Sequence, residues 1–215
     1  MKLVIIDYGI GNTKSLINAF KKIGLNDVVL SDDEETIYGS DLIILPGVGA
    51  YGNAMLELKK RGLVKIITNY SKLNKPIIGI CLGMQLLFDS SQEFGSYKGL
   101  GLIGGKVIKF PANISDKIPH VSWNKLKFKN KNSKLYSTIN KDDSFYFVHS
   151  YICVPKNKLE TLTTTNYGGI DFCSSVKKNH IYGYQFHPEK SSTKGLQLLK
   201  NLINLIEHEY SNNNI

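Results

Sequence analysis

The 215-residue chain is poor in cysteine, holding only Cys81, Cys153 and Cys173. Three residues make no even disulfide set, and none of their spacings is that of a metal-ligand pair. A disulfide scaffold and a zinc ribbon are thereby excluded, and a reducing compartment fits best. Long apolar runs are also missing. No stretch approaches a membrane span, and the apolar part of the opening Met-Lys-Leu-Val-Ile-Ile-Asp-Tyr-Gly is too short for a secretory h-region, so the expected location is the cytosol. Internal repeats and composition-shifted linkers are absent as well. One domain over residues 1–215 is expected, with 211–215 as a disordered tail. Acidic residues are scarce: 18 against 27 basic ones give a formal charge of +9 and a pI near 9.3. Such a balance raises the question of nucleic acid, but the clustering that phosphate binding requires is weak. The densest run, residues 125–134, opens with Lys alternating with apolar residues. It reads as an edge strand with one charged face, either solvated or docking a partner or an anionic ligand.

What is present suffices for a core, since 42% of residues are hydrophobic and 21% charged. Leu3-Val-Ile-Ile6 is a continuous apolar run suited to a strand covered on both faces. Leu16, Ile17, Phe20 and Ile23 recur at helical spacing before a Gly24 stop, and Val28–Leu30 offers a second strand. A third covers Leu42–Leu45, ended by Pro46. Helices are expected around Ala54–Lys60 and Leu63–Leu73, a strand over Pro76–Ile80, and a helix over Leu82–Phe88. This alternation predicts an open α/β sheet. From about Leu100 to Phe186 the texture changes to short β-prone pieces at 106–110, 144–148, 169–176 and 181–186, separated by Asn, Gly and Ser. They read as a mixed or antiparallel extension of the same sheet. An amphipathic helix over Thr193–His208 closes the chain.

Chemistry concentrates at Gly79-Ile80-Cys81-Leu82-Gly83, between a predicted strand and a predicted helix. This is the nucleophile-elbow pattern with Cys in place of Ser: the tight turn needs small neighbours and lifts the central side chain above the sheet edge. A helix N-terminus there favours the thiolate, the attacking species, and the Leu82 N–H is aimed at a developing oxyanion. The residues alone leave open that Cys81 is a small buried side chain at a strand end. Cys153 and Cys173 sit in strand-like runs without an elbow.

A thiol nucleophile needs a base, and the base needs an orienting group. Of five histidines, His187 is the best placed. Tyr184-Gln-Phe-His-Pro-Glu189 ends a strand with a stiff Pro turn, and positions i and i+2 of an extended chain face the same side, so Glu189 can hold the imidazole. Taken by itself, this segment is equally readable as a surface His-Pro turn. Pro46-Gly47-Val48-Gly49 follows the third strand with an unencumbered backbone able to furnish a second oxyanion N–H, or to serve as a plain tight turn. Asp7-Tyr-Gly-Ile-Gly-Asn12 lacks the third Gly of a dinucleotide fingerprint, which excludes NAD there.

Together, Gly79-Ile-Cys-Leu-Gly-Met-Gln85 and Gln185-Phe-His-Pro-Glu189 resemble the class I glutamine amidotransferases, and the likeness spans nearly the whole chain. Within that class, Asp7–Asn12, Pro46–Ala50, Pro119-His120 with Trp123-Asn124, and Tyr146–Tyr151 resemble the glutaminase subunits of imidazole glycerol phosphate synthases. The resemblance implies an α/β fold: a single amidotransferase domain with an open, mostly parallel central sheet, flanking helices, the elbow and a β-rich second half. It further implies that Cys81 attacks the glutamine amide, that His187 carries the proton to ammonia, and that Glu189 orients His187. Gln85, Glu93, and backbone at Ser150 and Tyr151 would hold the substrate, while Gly47, Val48, Gly49 and Leu82 would form the oxyanion and switch loop. Asn12, Trp123 and Asn124 would face a (β/α)8-barrel cyclase subunit that uses the ammonia to make imidazole glycerol phosphate and AICAR in histidine biosynthesis. Neither a cofactor nor a metal is called for, and neither nucleic acid nor membrane is an expected partner. One departure stands out: Val121-Ser122 replaces the Met-Gly usual between Pro-His and Trp-Asn. It leaves room for a cyclase-like partner in surface-sugar biosynthesis. A stand-alone cysteine hydrolase or peptidase and an idle binding module are the alternatives of other classes.

Overall fold

The computed structural model describes residues 1–129 and 134–213. Its first half alternates as the apolar periodicity predicts: β1 (Leu3–Ile6), α1 (Thr13–Lys22), β2 (Val28–Ser31), α2 (Glu34–Tyr38), β3 (Leu42–Leu45), α3 (Tyr51–Lys60), α4 (Leu63–Lys72), β4 (Ile77–Ile80) and α5 (Leu82–Leu86). The second half is mostly strand: β5 (Phe88–Ser91), β6 (Tyr97–Lys98), β7 (Ile103–Lys109), β8 (His120–Lys125), β9 (Lys127–Phe128), β10 (Ser144–His149), β11 (Tyr151–Pro155), β12 (Thr161–Tyr167), β13 (Ile170–Lys178) and β14 (Ile181–Tyr184), before α6 (Ser192–Asn213).

Strands β2-β1-β3-β4-β14 run parallel in that order, and β13, β11, β7, β5 and β6 continue the sheet in mixed orientation. The runs β1, β3 and β4 are buried on both faces because α1 and α6 cover one side and α3 and α4 the other. Each face therefore seals its own apolar cluster, and the polar edge of the parallel strands, at their carboxyl ends, is where the elbow opens.

Three expectations need correction. The helix predicted over Leu82–Phe88 stops at Leu86, because Leu86, Leu87 and Phe88 are completely buried and Phe88 enters β5 to pair with Ile103. A one-turn helix has little macrodipole, so the turn geometry rather than the helix field must carry the argument for Cys81. The piece at 144–148 does not extend the main sheet: as β10 it pairs, among the described residues, with β8 alone, in a separate two-stranded ribbon. The closing helix continues past His208 to Asn213, which includes part of the segment expected as a tail, while 214–215 lie outside the described residues. Of the basic run 125–134, residues 130–133 also lie outside them. Its Lys127–Phe128 portion does pair with the outer strand β12.

Candidate active site

Cys81 sits between β4 and α5 with φ 55° and ψ −111°, a left-handed conformation that a side-chain-bearing residue adopts only when its surroundings impose it. They do so here. The Cys81 N–H donates to Tyr184 O at 2.7 Å, and the Cys81 carbonyl accepts from Gln85 N at 3.2 Å, so the residue is pinned from both sides. Both flanking glycines are sterically required: a Cβ on Gly83 would collide with the Leu45 carbonyl oxygen, and one on Gly79 would lie 2.6 Å from Gly83 O. Cys81 is buried, only 6% exposed, and lines a cavity of about 420 Å³. The same cavity is lined by Val48, Gly49, Leu82, Gln85, Glu93, Ser150, Tyr151 and His187.

His187 follows β14, its backbone N–H donating to Tyr146 O at 2.9 Å. Its Nδ1 lies 2.7 Å from Glu189 Oε1, with both side chains almost fully buried. The two residues meet as the i, i+2 pattern suggests, although Glu189 belongs to a single 3-10 turn at Pro188–Lys190 rather than to extended chain. Burial alone would pull the His187 pKa down. The hydrogen bonds and charges of Cys81 and Glu189 outweigh it and raise the value to about 10. With Nδ1 taken by Glu189, the buried Nε2 is the ring nitrogen left to exchange a proton with Cys81.

Gln85 Nε2 donates to Tyr151 O at 3.2 Å and to Gln185 Oε1 at 3.1 Å, which leaves its Oε1 as the remaining polar atom and an acceptor for a ligand ammonium. Glu93 Oε2 accepts from the Tyr51 N–H at 2.6 Å, and partial burial raises its pKa despite that bond. Tyr151 O is filled by Gln85 and by His149 Nδ1 at 2.8 Å, and Ser150 O accepts from Phe110 N.

The Pro46–Gly49 loop is fixed at one end and free at the other. Tyr8 Oη donates to Pro46 O at 2.6 Å, and a Cβ on Gly47 would lie 2.8 Å from Leu82 Cβ. Gly49, at φ +85°, has open space around it. A peptide between Val48 and Gly49 can thus reorient without disturbing the anchored end. Asn12 occupies the N-cap position of α1, without a side-chain capping bond, next to Gly11, which abuts Pro46, so it shares this rim. Trp123 is 50% exposed and Val121 51%, so Trp123 is no core filler. Asn124, in contrast, turns its amide inward, with Nδ2 2.9 Å from His120 Nε2.

An elbow cysteine beside a buried His–Glu pair, in a pocket offering acceptors to an ammonium, is suited to acyl transfer from a small amide. A family model described as glutamine amidotransferase class-I matches residues 4–205. The chain belongs to the class I glutamine amidotransferases. Curated relatives of this amidotransferase include imidazole glycerol phosphate synthase subunit HisH of Aquifex aeolicus, 45% identical over 201 residues covering 94% of this chain and 95% of that one. Subunit HisH 2 of Methanococcus maripaludis is 46% identical over 202 residues, covering 94% and 98%. Solved structures with the same fold include a protein titled glutamine amidotransferase (TM-score 0.71, 17% identity, 95% and 98% coverage) and PurLQS from Thermotoga maritima (TM-score 0.72, 18% identity, 95% and 98%).

Sequence reasoning gave no role to His149, His120 or Gln185, although all three lie within segments it singled out. The sequence places the histidines only within Pro119-His120 and Tyr146–Tyr151, and their pairing across 29 residues is visible only in the fold.

Proposed function

We propose that this amidotransferase is the glutaminase subunit of an imidazole glycerol phosphate synthase, releasing ammonia for a (β/α)8-barrel cyclase subunit in the cytoplasm. With its pKa raised to about 10, His187 already holds the proton on Nε2, and Cys81 attacks the carboxamide carbon of glutamine as the thiolate. The oxyanion is received by the Leu82 N–H and by an N–H of the Val48–Gly49 segment. Collapse breaks the C–N bond, and His187 returns the proton to the departing ammonia. Water then adds to the thioester with His187 as base, and glutamate leaves as the C–S bond breaks and restores the thiolate beside protonated His187. Glu189 keeps the imidazole in the orientation and tautomer both half-reactions need. Gln85 and Glu93 take the substrate ammonium. Asn12 and Trp123 form the rim toward the cyclase, backed by Asn124 through its bond to His120, and engagement of the cyclase favours the Val48–Gly49 peptide orientation that faces the oxyanion.

The observation that carries this reading is the strained Cys81 sharing one cavity with the buried His187–Glu189 pair and with Gln85 and Glu93. The test is glutamate release from glutamine by the chain alone and with the cyclase subunit of its own genome plus that enzyme's ligand. Strong activation on mixing is expected; an unchanged rate would redirect the ammonia to another synthase. The second destination, a cyclase-like partner in surface-sugar biosynthesis, rests on the Val121-Ser122 departure alone, where Ser122 Oγ lies 2.9 Å from His120 Nε2.

A further inference from the structure

Leading away from the glutamine pocket, whose wall includes His149, two buried histidines form a continuous line of hydrogen bonds. His149 Nδ1 lies 2.8 Å from Tyr151 O, His149 Nε2 lies 2.9 Å from His120 Nδ1, and His120 Nε2 lies 2.9 Å from both Ser122 Oγ and Asn124 Nδ2. Proton positions follow from chemistry alone. A carbonyl oxygen only accepts, so His149 must carry its proton on Nδ1. A neutral His149 then offers Nε2 as an acceptor, which requires His120 to be protonated on Nδ1 as well. His120 Nε2 is left as an acceptor, and it meets the Ser122 hydroxyl and the Asn124 amide. The direction is therefore fixed at both ends: an obligate acceptor at Tyr151 and donors on β8.

We infer that His120 and His149 are positioning residues of the glutamine pocket, a two-imidazole relay of fixed tautomer that fastens the Tyr151 carbonyl to the partner-facing strand β8. This rests on the glutaminase reading above. Tyr151 O is also the acceptor for Gln85 Nε2, so the relay helps set which face Gln85 turns to the substrate. The neighbours keep both rings neutral. His120 stacks on Phe147 and Tyr167, and His149 packs among Phe110, Phe147 and Phe172. Desolvation lowers the pKa of His149 to about 3, assisted by the positive charges His120 and His187 would bring, and that of His120 to about 4 against the pull of Asp116. Reversal of the His149 tautomer would turn a lone pair toward Tyr151 O, and reversal of the His120 tautomer would set its Nδ1 lone pair against that of His149 Nε2. Removal of the donors on β8 therefore reaches the pocket without touching it.

The direct test is long-range ¹⁵N–¹H correlation spectroscopy on the labelled full chain, which identifies the protonated ring nitrogen and needs no activity. Both rings are expected as neutral Nδ1–H tautomers from pH 8 to pH 5. An Nε2–H tautomer in either ring, or protonation of either near pH 6.5, would overturn the relay. A second test uses glutamine turnover with the cyclase present. His149→Asn retains a donor at the Nδ1 position, whereas His149→Leu does not. The Leu variant should raise KM for glutamine about tenfold with kcat changed much less, and Asn should restore KM to within about threefold of the native value. Equal KM changes in the two variants would contradict the assignment. A native chain without glutaminase activity would sink the functional reading instead, leaving the tautomer result intact.

Discussion

His187 Nδ1 and Glu189 Oε1 approach to 2.7 Å with side-chain exposures of 3% and 2%, so the imidazole is aimed by a carboxylate that water barely reaches. In such surroundings a hydrogen bond to a charged group is worth more than at the surface, and its loss strands the partner. Glu189→Gln keeps the shape but offers an amide in place of the carboxylate. Steady-state assays should show kcat for glutamine hydrolysis reduced by roughly 100-fold or more, with KM little changed.

The elbow makes a stability prediction independent of catalysis. Gly83→Ala drives a methyl group into the Leu45 carbonyl, and backbone cannot yield as a side-chain tip does. A cost of about 3 kcal/mol or more is expected, which for a chain of this length lowers Tm by roughly 6 °C or more in calorimetry. Gly104→Ala, whose Cβ would meet nothing nearer than 3.7 Å, should shift Tm by only about 1 °C.

Glu93 supplies a pH prediction. Burial raises its pKa, so its charge is lost at a higher pH than an exposed glutamate would lose it. Attraction for the substrate ammonium should fade accordingly, and KM for glutamine should rise as the assay pH is lowered through the acidic range. In Glu93→Gln, KM should be high throughout and lack this rise.

Acid stability should report the two buried histidines. Their folded pKa values, about 4 for His120 and about 3 for His149, lie below the unfolded value of 6.5. The unfolded chain therefore binds protons that the folded chain refuses, and the stability present above pH 6.5 is lost as pH falls toward these lower values. For His149 the slope reaches about 1.4 kcal/mol per pH unit. Urea unfolding between pH 6.5 and 4 should accordingly be flatter in His149→Asn than in the native chain.

The legibility of this fold follows burial. Leu3–Ile6, Leu42–Leu45 and Ile77–Ile80 were readable because strands covered on both faces must be apolar at every position. The strands β5, β6, β11 and β12 were not: Phe88-Asp-Ser-Ser91 and Thr161–Tyr167 have mixed polarity, and their pairing is decided by distant partners. In the site, the glycines around Cys81 and the His-Pro-Glu turn carried a local signal, because strain and stiffness are written in neighbouring residues. The His120–His149 contact had none, and Asn124, expected to face a partner, spends its amide on His120.

The account stands most directly on which sulfur reacts. Cys153 and Cys173 are fully committed to the sheet, facing each other across β11 and β13, and burial pushes both thiols far up, to about 12 for Cys173. Treatment of the cyclase-bound chain with an electrophilic glutamine analogue, followed by peptide mass mapping, should give a single adduct on Cys81, suppressed by excess glutamine and absent in Cys81→Ser, which should also release no glutamate. Labelling at Cys153 or Cys173, or glutamate release undiminished in Cys81→Ser, would contradict it.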